Sequence, residues 1–469
     1  MGAFTVRAPC GTLMAEHRDA VVIGGGFAGL SAAVALTQNG FRVAVLERKP
    51  ALGGRAYSFP DPDTGDFVDN GQHVLMGCYT ETLRFLNRIG TRRQLVFHPD
   101  LAIEMLQPGG ASAAIRTARL PGPMHMTAAV MRYRHLSVRE RTSVIVAGMR
   151  ILARRRFDRS RLEKMTVIAL MDELGQSERA RQCFWYPIAI ATLNDTPDLS
   201  SASLLAEVMK RAFFSGRADS AFVYSKVGLS DLYCAAARRI IEDAGGMVAC
   251  HTIVESLEMS SEGTIAGVRI RGGERLDAAN FIAAVPPAQL LRMLPEGAAR
   301  APFFKPLAEL STSPIICVHA WFDREITPSP FVGFIGTDTQ WLFNKRRIFE
   351  QHGEQHPGYL SFVISGARRL VELGNEELLE RVLDDLGTMI PGARGVRPLK
   401  ALVLKEKQAT MAPSPESNRL RPPCETPLPN LFLAGDWVST GLPATIESAV
   451  ASGHTAAALI SARADRAAA

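Results

Sequence analysis

The stretch that most constrains this chain is DAVVIGGGFAGLSAAVALTQNGFRVAVLERKPALGGR, residues 19 to 55. Asp19 to Ile23 is a short apolar run ending in glycines, a helical pattern follows to Gly40, and Arg42 to Leu46 is a second β-rich run. This order reads as strand, turn, helix, strand. Gly24, Gly26 and Gly29 stand at G-x-G-x-x-G spacing where the first strand meets the helix. The first glycine permits the tight turn, the second lets the backbone approach a pyrophosphate, and the third lets the helix lie close to the strand. Phe27 and Ala28 open the helix, whose N-terminus turns unpaired N–H groups and a positive dipole end toward the phosphates. Glu47 and Arg48 close the second strand about 20 residues on, where an acid holds ribose hydroxyls and argues against a 2′-phosphate. Glycine turns before helices are common. The strand, the helix and Glu47 together make this one a dinucleotide site.

Leu52-Gly53-Gly54-Arg55 arrives just after Glu47. Two adjacent glycines let a loop pass close to a cofactor, and Arg55 supplies a fork of donors for phosphate or for a ring edge. A surface turn with a solvated arginine is the alternative. The doublet resembles that of flavoenzymes built like monoamine oxidase, phytoene desaturase and protoporphyrinogen oxidase, which implies FAD rather than NAD. Near the other end, Leu431 to Asp436 is a strand finishing in Gly435 and an acid, followed by TGLPATIE and a helix to about Ala462. Asp436 is placed to hold a ribityl hydroxyl or to reach phosphate through water. Ala444, Thr445 and Ile446 open the helix, directing its N–H groups toward the flavin ring, where they favour the negative charge of the reduced form.

At 469 residues the chain is too long for one ordinary core. Its net charge of +6 is local in origin. Arg132, Arg134, Arg139, Arg141, Arg150, Arg154, Arg155, Arg156, Arg159 and Arg161 crowd one region, answered only by Glu140 and Asp158. A solvated arginine-rich surface and attraction to an anionic membrane both account for this cluster. No nucleic-acid motif accompanies it. The seven cysteines are scattered with no C-x-x-C pair, which argues for reduced thiols in a cytosolic compartment, without zinc or a disulfide framework. No apolar run approaches the ~20 residues that span a bilayer, and residues 1–14 read as an untidy leader.

Asp66 to Leu75 reads as two short strands about a turn at Asn70-Gly71, where Gln72 and His73 offer side chains to a flavin. A histidine in such a turn is by default a hydrogen-bonded structural group. Residues 95–118 suggest a β-meander, and 120–215 are mainly helical. Asp195 either begins a turn before Pro197 or caps the helix starting near Ser200. From Gly228 the chain returns to a helix, a strand and a small antiparallel meander carrying Val254, placed to lie against the adenine, and then to the buried strand ending at Val285. Ile315 to Phe322 and Tyr359 to Ile364 read as strands of a second sheet. The expected fold is α/β: a Rossmann-like FAD-binding domain (15–94, 225–300, 400–463) interleaved with a mixed substrate domain (95–224, 301–399).

More narrowly, DNGQHVLMGCYT at 69–80, QWLFNK at 340–345, KEKQAT at 405–410 and AGDWVSTGLPATIESAV at 434–450 resemble hydroxysqualene dehydroxylases, also labelled squalene-associated FAD-dependent desaturases. The resemblance implies reductive loss of the hydroxyl from hydroxysqualene in bacterial squalene and hopanoid synthesis. Squalene and water are the products, and reduced FAD delivers hydride from N5. An allylic alcohol needs an acid at its oxygen, which His73 supplies or orients, with Asp195 and Glu447 in reserve. The C30 chain needs an apolar tunnel, for which Phe184, Trp185, Trp321, Phe331, Phe334, Trp341 and Phe343 are candidates. A lipid substrate further implies peripheral membrane contact at the inner face of the cell membrane, and squalene-pathway synthases as partners. The rival readings are a carotenoid-type desaturase running the flavin in the oxidising direction, an amine oxidase, and a flavin-bound lipid carrier without catalysis.

Overall fold

The expected strand, helix and strand form as Ala20–Ile23, Phe27–Gln38 and Val43–Leu46 in a computed structural model. It describes residues 18–468 apart from 99, 154–158, 351–352 and 354–355, so the leader and Arg154–Arg156 lie outside the described residues. Both strands are fully buried, as continuous apolar runs in parallel sheets are. They lie within a five-stranded parallel sheet whose order is Met247–Ala249, Val43–Leu46, Ala20–Ile23, Asn280–Ala283, Leu431–Leu433. Strands from the first fifty residues and from beyond the four-hundredth thus share one sheet.

Phe27–Gln38 is buried almost all round, because the long C-terminal helix Ile446–Ala468 crosses it closely. A Cβ at Gly453 would lie 2.3 Å from the Ala28 carbonyl oxygen, so only glycine permits that approach. Leu229–Asp243 completes the helical layer on this face. The antiparallel strands Val254–Met259, Ile265–Ile270 and Arg275–Asp277 cover the other face.

The second sheet has seven strands in the order Lys400–Met411, Thr312–Phe322, Gly358–Ser365, Trp341–Asn344, Phe331–Phe334, Ala102–Gln107, Ala111–Arg116. One face packs on the helix Asn375–Met389. Helical segments between Met124 and Phe214 stand over the other, including π-helical turns at Arg181–Trp185 and Met209–Phe214.

Two expectations need correction. The sequence puts residues 400–411 in the cofactor domain, yet they run antiparallel to Thr312–Phe322 and form the edge of the seven-stranded sheet. That buried strand needs a hydrogen-bonded neighbour on each side. The meander expected over 95–118 divides: Leu95–His98 pairs with Phe222–Ser225, and only Ala102–Gln107 and Ala111–Arg116 form a hairpin in the large sheet. The two short strands expected about Asn70-Gly71 form, each in a different small sheet. Phe67–Asp69 joins Ser58–Pro60 and Leu75–Met76 joins Phe222–Ser225, because Asn70 binds the preceding segment, accepting from Tyr57 N at 3.1 Å and donating to Arg55 O at 2.9 Å.

Candidate active site

The carboxyl ends of Ala20–Ile23 and Val43–Leu46 open onto a cradle of backbone. Gly24 sits at φ +114°, and a Cβ there would come 2.4 Å from the Ala284 carbonyl oxygen. A Cβ at Gly29 would come 1.9 Å from the Gly24 oxygen. Gly29 is off the cavity wall and serves helix–strand packing, the role expected of the third glycine. Gly26 and Gly54 face each other, with an added Cβ on Gly54 only 3.1 Å from the Gly26 Cα. Side chains at either position would fill the space a pyrophosphate needs. Glu47 is buried and accepts Gly25 N and Lys49 N, each at 2.8 Å, which leaves acceptor capacity for ribose hydroxyls. Lys49, which the sequence reading passed over, donates to the Gly54 carbonyl at 2.9 Å. Tyr233 stacks on Phe27 with centroids 3.7 Å apart and donates to the Gly53 carbonyl, holding the doublet from behind. These residues fit the nucleotide half of FAD.

The two ends of the chain meet directly at the far side. Arg55 forms an ion pair with Asp436 and donates to the Ala409 carbonyl at 3.3 Å. It therefore closes the cradle from side to side, in addition to any donor it offers a ligand. Arg421, buried behind the Ala434-Gly435-Asp436 turn, donates to the carbonyls of Leu442, Asp436 and Val438 at 2.5–2.7 Å. Burial lowers its pKa to about 10 while Asp436 opposes the shift. The loop so gathered brings Ala444, Thr445 and Ile446 onto the cavity wall, at the start of Ile446–Ala468.

Gly71, Gln72 and His73 are on the same wall. Behind them is a buried lysine that sequence reasoning missed. Lys345, wholly inaccessible, donates to Asp69 Oδ2 at 2.9 Å and to Gln72 Oε1 at 2.7 Å and lies 3.7 Å over the Phe349 ring. With its oxygen engaged, Gln72 keeps its NH₂ group for other partners. His73 Nε2 is buried without a protein partner. Burial lowers the His73 pKa, with Asp69 opposing and Lys345 adding to the fall, which favours the neutral ring. His319, bonded to the Asp69 carbonyl and to Tyr359, is pulled to about 3 by burial and the Lys345 charge.

Beyond this polar corner the cavity continues as an apolar chamber. Phe184, Trp341 and Phe343 line it, together with Leu101, Met105, Ile188, Phe213 and Ile315. The other aromatic candidates are elsewhere. Trp185 is core and donates to Gln176 Oε1 at 2.8 Å; Trp321 stacks on Tyr359 at 4.5 Å and donates to Asp66. Phe331 packs behind Phe222, centroids 4.3 Å apart, and Phe334 lines a neighbouring pocket that shares Pro187 and Trp341 with the chamber. Buried indoles find partners for their N–H, and these partners are in the core.

Neither reserve acid faces the cavity. Asp195 is buried in an ion pair with Arg368 at 2.5 Å and accepts Thr196 N. Glu447 accepts Glu81 N and Thr82 N, at 2.9 and 2.8 Å, capping the helix Thr80–Arg88. Both are spent on structure. Val254, Phe27, Ala28, Arg48 and Gly435 do lie on the wall.

A solved structure follows the same course of chain. Putrescine oxidase with bound putrescine matches with a TM-score of 0.70, at 18% identity over 96% of this chain and 100% of that one. That likeness shows the fold; the family match and the curated relatives make this chain an FAD-dependent oxidoreductase. More narrowly, the family profile of the flavin containing amine oxidoreductases matches residues 27–461, and the chain belongs to that family. Within it, the chain is 30% identical to the hydroxysqualene dehydroxylase of Sinorhizobium fredii over 93% of its own length and 96% of the relative's. It is 24% identical to the 15-cis-phytoene desaturase of Synechococcus elongatus, covering 95% and 96%.

Proposed function

We propose that this enzyme removes the hydroxyl of hydroxysqualene reductively, giving squalene and water. The observation that carries the reading is the continuity of the cofactor cradle with an apolar chamber whose polar groups gather at the junction, around Gln72 and His73. Similarity to dehydroxylases along nearly the whole chain supports it. Reduced FAD, when bound, supplies the hydride that replaces the hydroxyl on carbon. The protein's part is to hold the chain by its apolar surface, exclude bulk water, and place a proton at the departing oxygen. His73 is the group in position. Its proton goes to the hydroxyl as the C–O bond breaks, water leaves, and the ring is reprotonated from solvent. Trp341 and Phe343, on the chamber wall, are the aromatic rings available to stabilise a transient allylic cation.

The test is anaerobic. Dithionite-reduced enzyme freed of excess reductant, mixed with hydroxysqualene, should regain the oxidised flavin spectrum as squalene forms one for one. No change of spectrum despite hydrocarbon binding would leave a lipid carrier. Reduction of the oxidised enzyme by phytoene, with no reaction of hydroxysqualene, would leave a desaturase. His73→Ala should keep FAD and lose single-turnover dehydroxylation. Because burial lowers the His73 pKa, the protonated form grows only on acidification. The wild-type single-turnover rate should therefore rise as pH falls from 8 through neutrality, and a flat profile would remove His73 as the acid.

A further inference from the structure

Two helices on the outside of the substrate domain carry apolar side chains on the side away from the core. In Met124–Arg132, His125, Met126, Ala129 and Val130 are buried, while Met124 and Met131 are 55% and 42% exposed. Met124, Ala128 and Met131 fall at i, i+4 and i+7, one stripe on the opposite side. In Val138–Leu152, Val144, Ala147 and Ile151 face inward, while Val138 and Met149 are 66% and 54% exposed. Val138, Thr142 and Met149 fall at i, i+4 and i+11 and form the second outward stripe, with Ile145 half-buried against the core beside it. A helix resting against water puts charge there.

The charges present are arginines at the margins. Arg132, Arg139 and Arg150 are exposed beside these stripes, as is Arg134 between the helices. The acid of the segment, Glu140, is withdrawn into a capping box with Ser137 and accepts from Ser177 Oγ at 3.0 Å. Apolar outward faces rimmed by arginine, with the acid turned aside, match a surface lying in the headgroup layer of an anionic bilayer. No helix among the described residues is long and apolar enough to cross a membrane, so the contact is with one leaflet. The chamber lies close behind. A Cβ at Gly148 would sit 3.0 Å from the Phe214 ring, and the adjacent Phe213 lines the cavity.

We propose that the outward faces of Met124–Arg132 and Val138–Leu152 dock this protein on an anionic lipid surface. The proposal rests on these faces alone and stands whichever lipid is reduced.

Flotation of the FAD-loaded protein with vesicles tests it. Binding to phosphatidylcholine vesicles containing phosphatidylglycerol should exceed binding to phosphatidylcholine alone by about tenfold or more, since each arginine near an anionic surface contributes roughly fivefold. Salt should weaken it. The double variant Met124→Glu with Met149→Glu should lose flotation while keeping its flavin spectrum and its turnover of detergent-dispersed substrate. Absence of flotation in the wild type, or undiminished flotation of the variant, overturns the proposal. So does a light-scattering change from dimer to monomer in the variant, which would give the faces to a second copy of the chain.

Discussion

Lys345 is an ammonium group removed from water, held by one carboxylate, one amide and one ring. Removing one member of a buried ion pair leaves the other uncompensated, at a cost of ~3–5 kcal/mol. Lys345→Met should accordingly lower the melting temperature and free Gln72 to turn its amide. It should also let His73 protonate at higher pH, because the opposing cation is gone while the Asp69 charge remains. NMR titration of the His73 ring in the FAD-loaded protein checks this, and an unchanged titration would separate Lys345 from the site. The cradle glycines could be read from sequence because each answers a local backbone requirement within a few residues of a strand end. Lys345 could not. Its partner Asp69 lies 276 positions earlier, and a lysine closing a strand ordinarily reads as a solvated end.

Among the elements, Glu447 shows how one side chain joins two helices. It stands in the first turn of Ile446–Ala468 and satisfies the orphan N–H groups opening Thr80–Arg88. Glu447→Ala should destabilise the protein by about 1–3 kcal/mol, the cost of leaving buried donors unmet. Glu447→Gln, which retains an acceptor, should cost less. Burial raises the Glu447 pKa against its hydrogen-bond donors, so its ionisation opposes folding. Its stabilising contribution is therefore complete below about pH 4.5 and declines as pH rises through the elevated pKa. Melting curves across that range for wild type and Glu447→Gln measure the difference. Sequence reasoning found Ala20–Ile23, Phe27–Gln38 and Val43–Leu46 because their apolar periods and turn glycines are contiguous. It misplaced Lys400–Met411 and Leu95–His98 because a strand's sheet is decided by its neighbour, and their neighbours at Thr312–Phe322 and Phe222–Ser225 are remote in the chain.

At the scale of the molecule, the interleaving makes the cofactor domain depend on residues beyond 430. A chain truncated after Pro427 lacks the strand Leu431–Leu433, the Asp436 partner of Arg55 and the helix that crosses Phe27–Gln38. Such a chain should purify colourless even when expressed with added riboflavin, and a yellow soluble product would show that the amino-terminal half of the cradle suffices. The interleaving also sets an order on biogenesis. The glycine loop leaves the ribosome long before its last neighbours, Leu431–Leu433 and Asp436, have been made. Throughout that interval the parallel sheet stands without its edge strand and its apolar surface is open to chaperones, so the cradle can close around a flavin only after that strand has arrived.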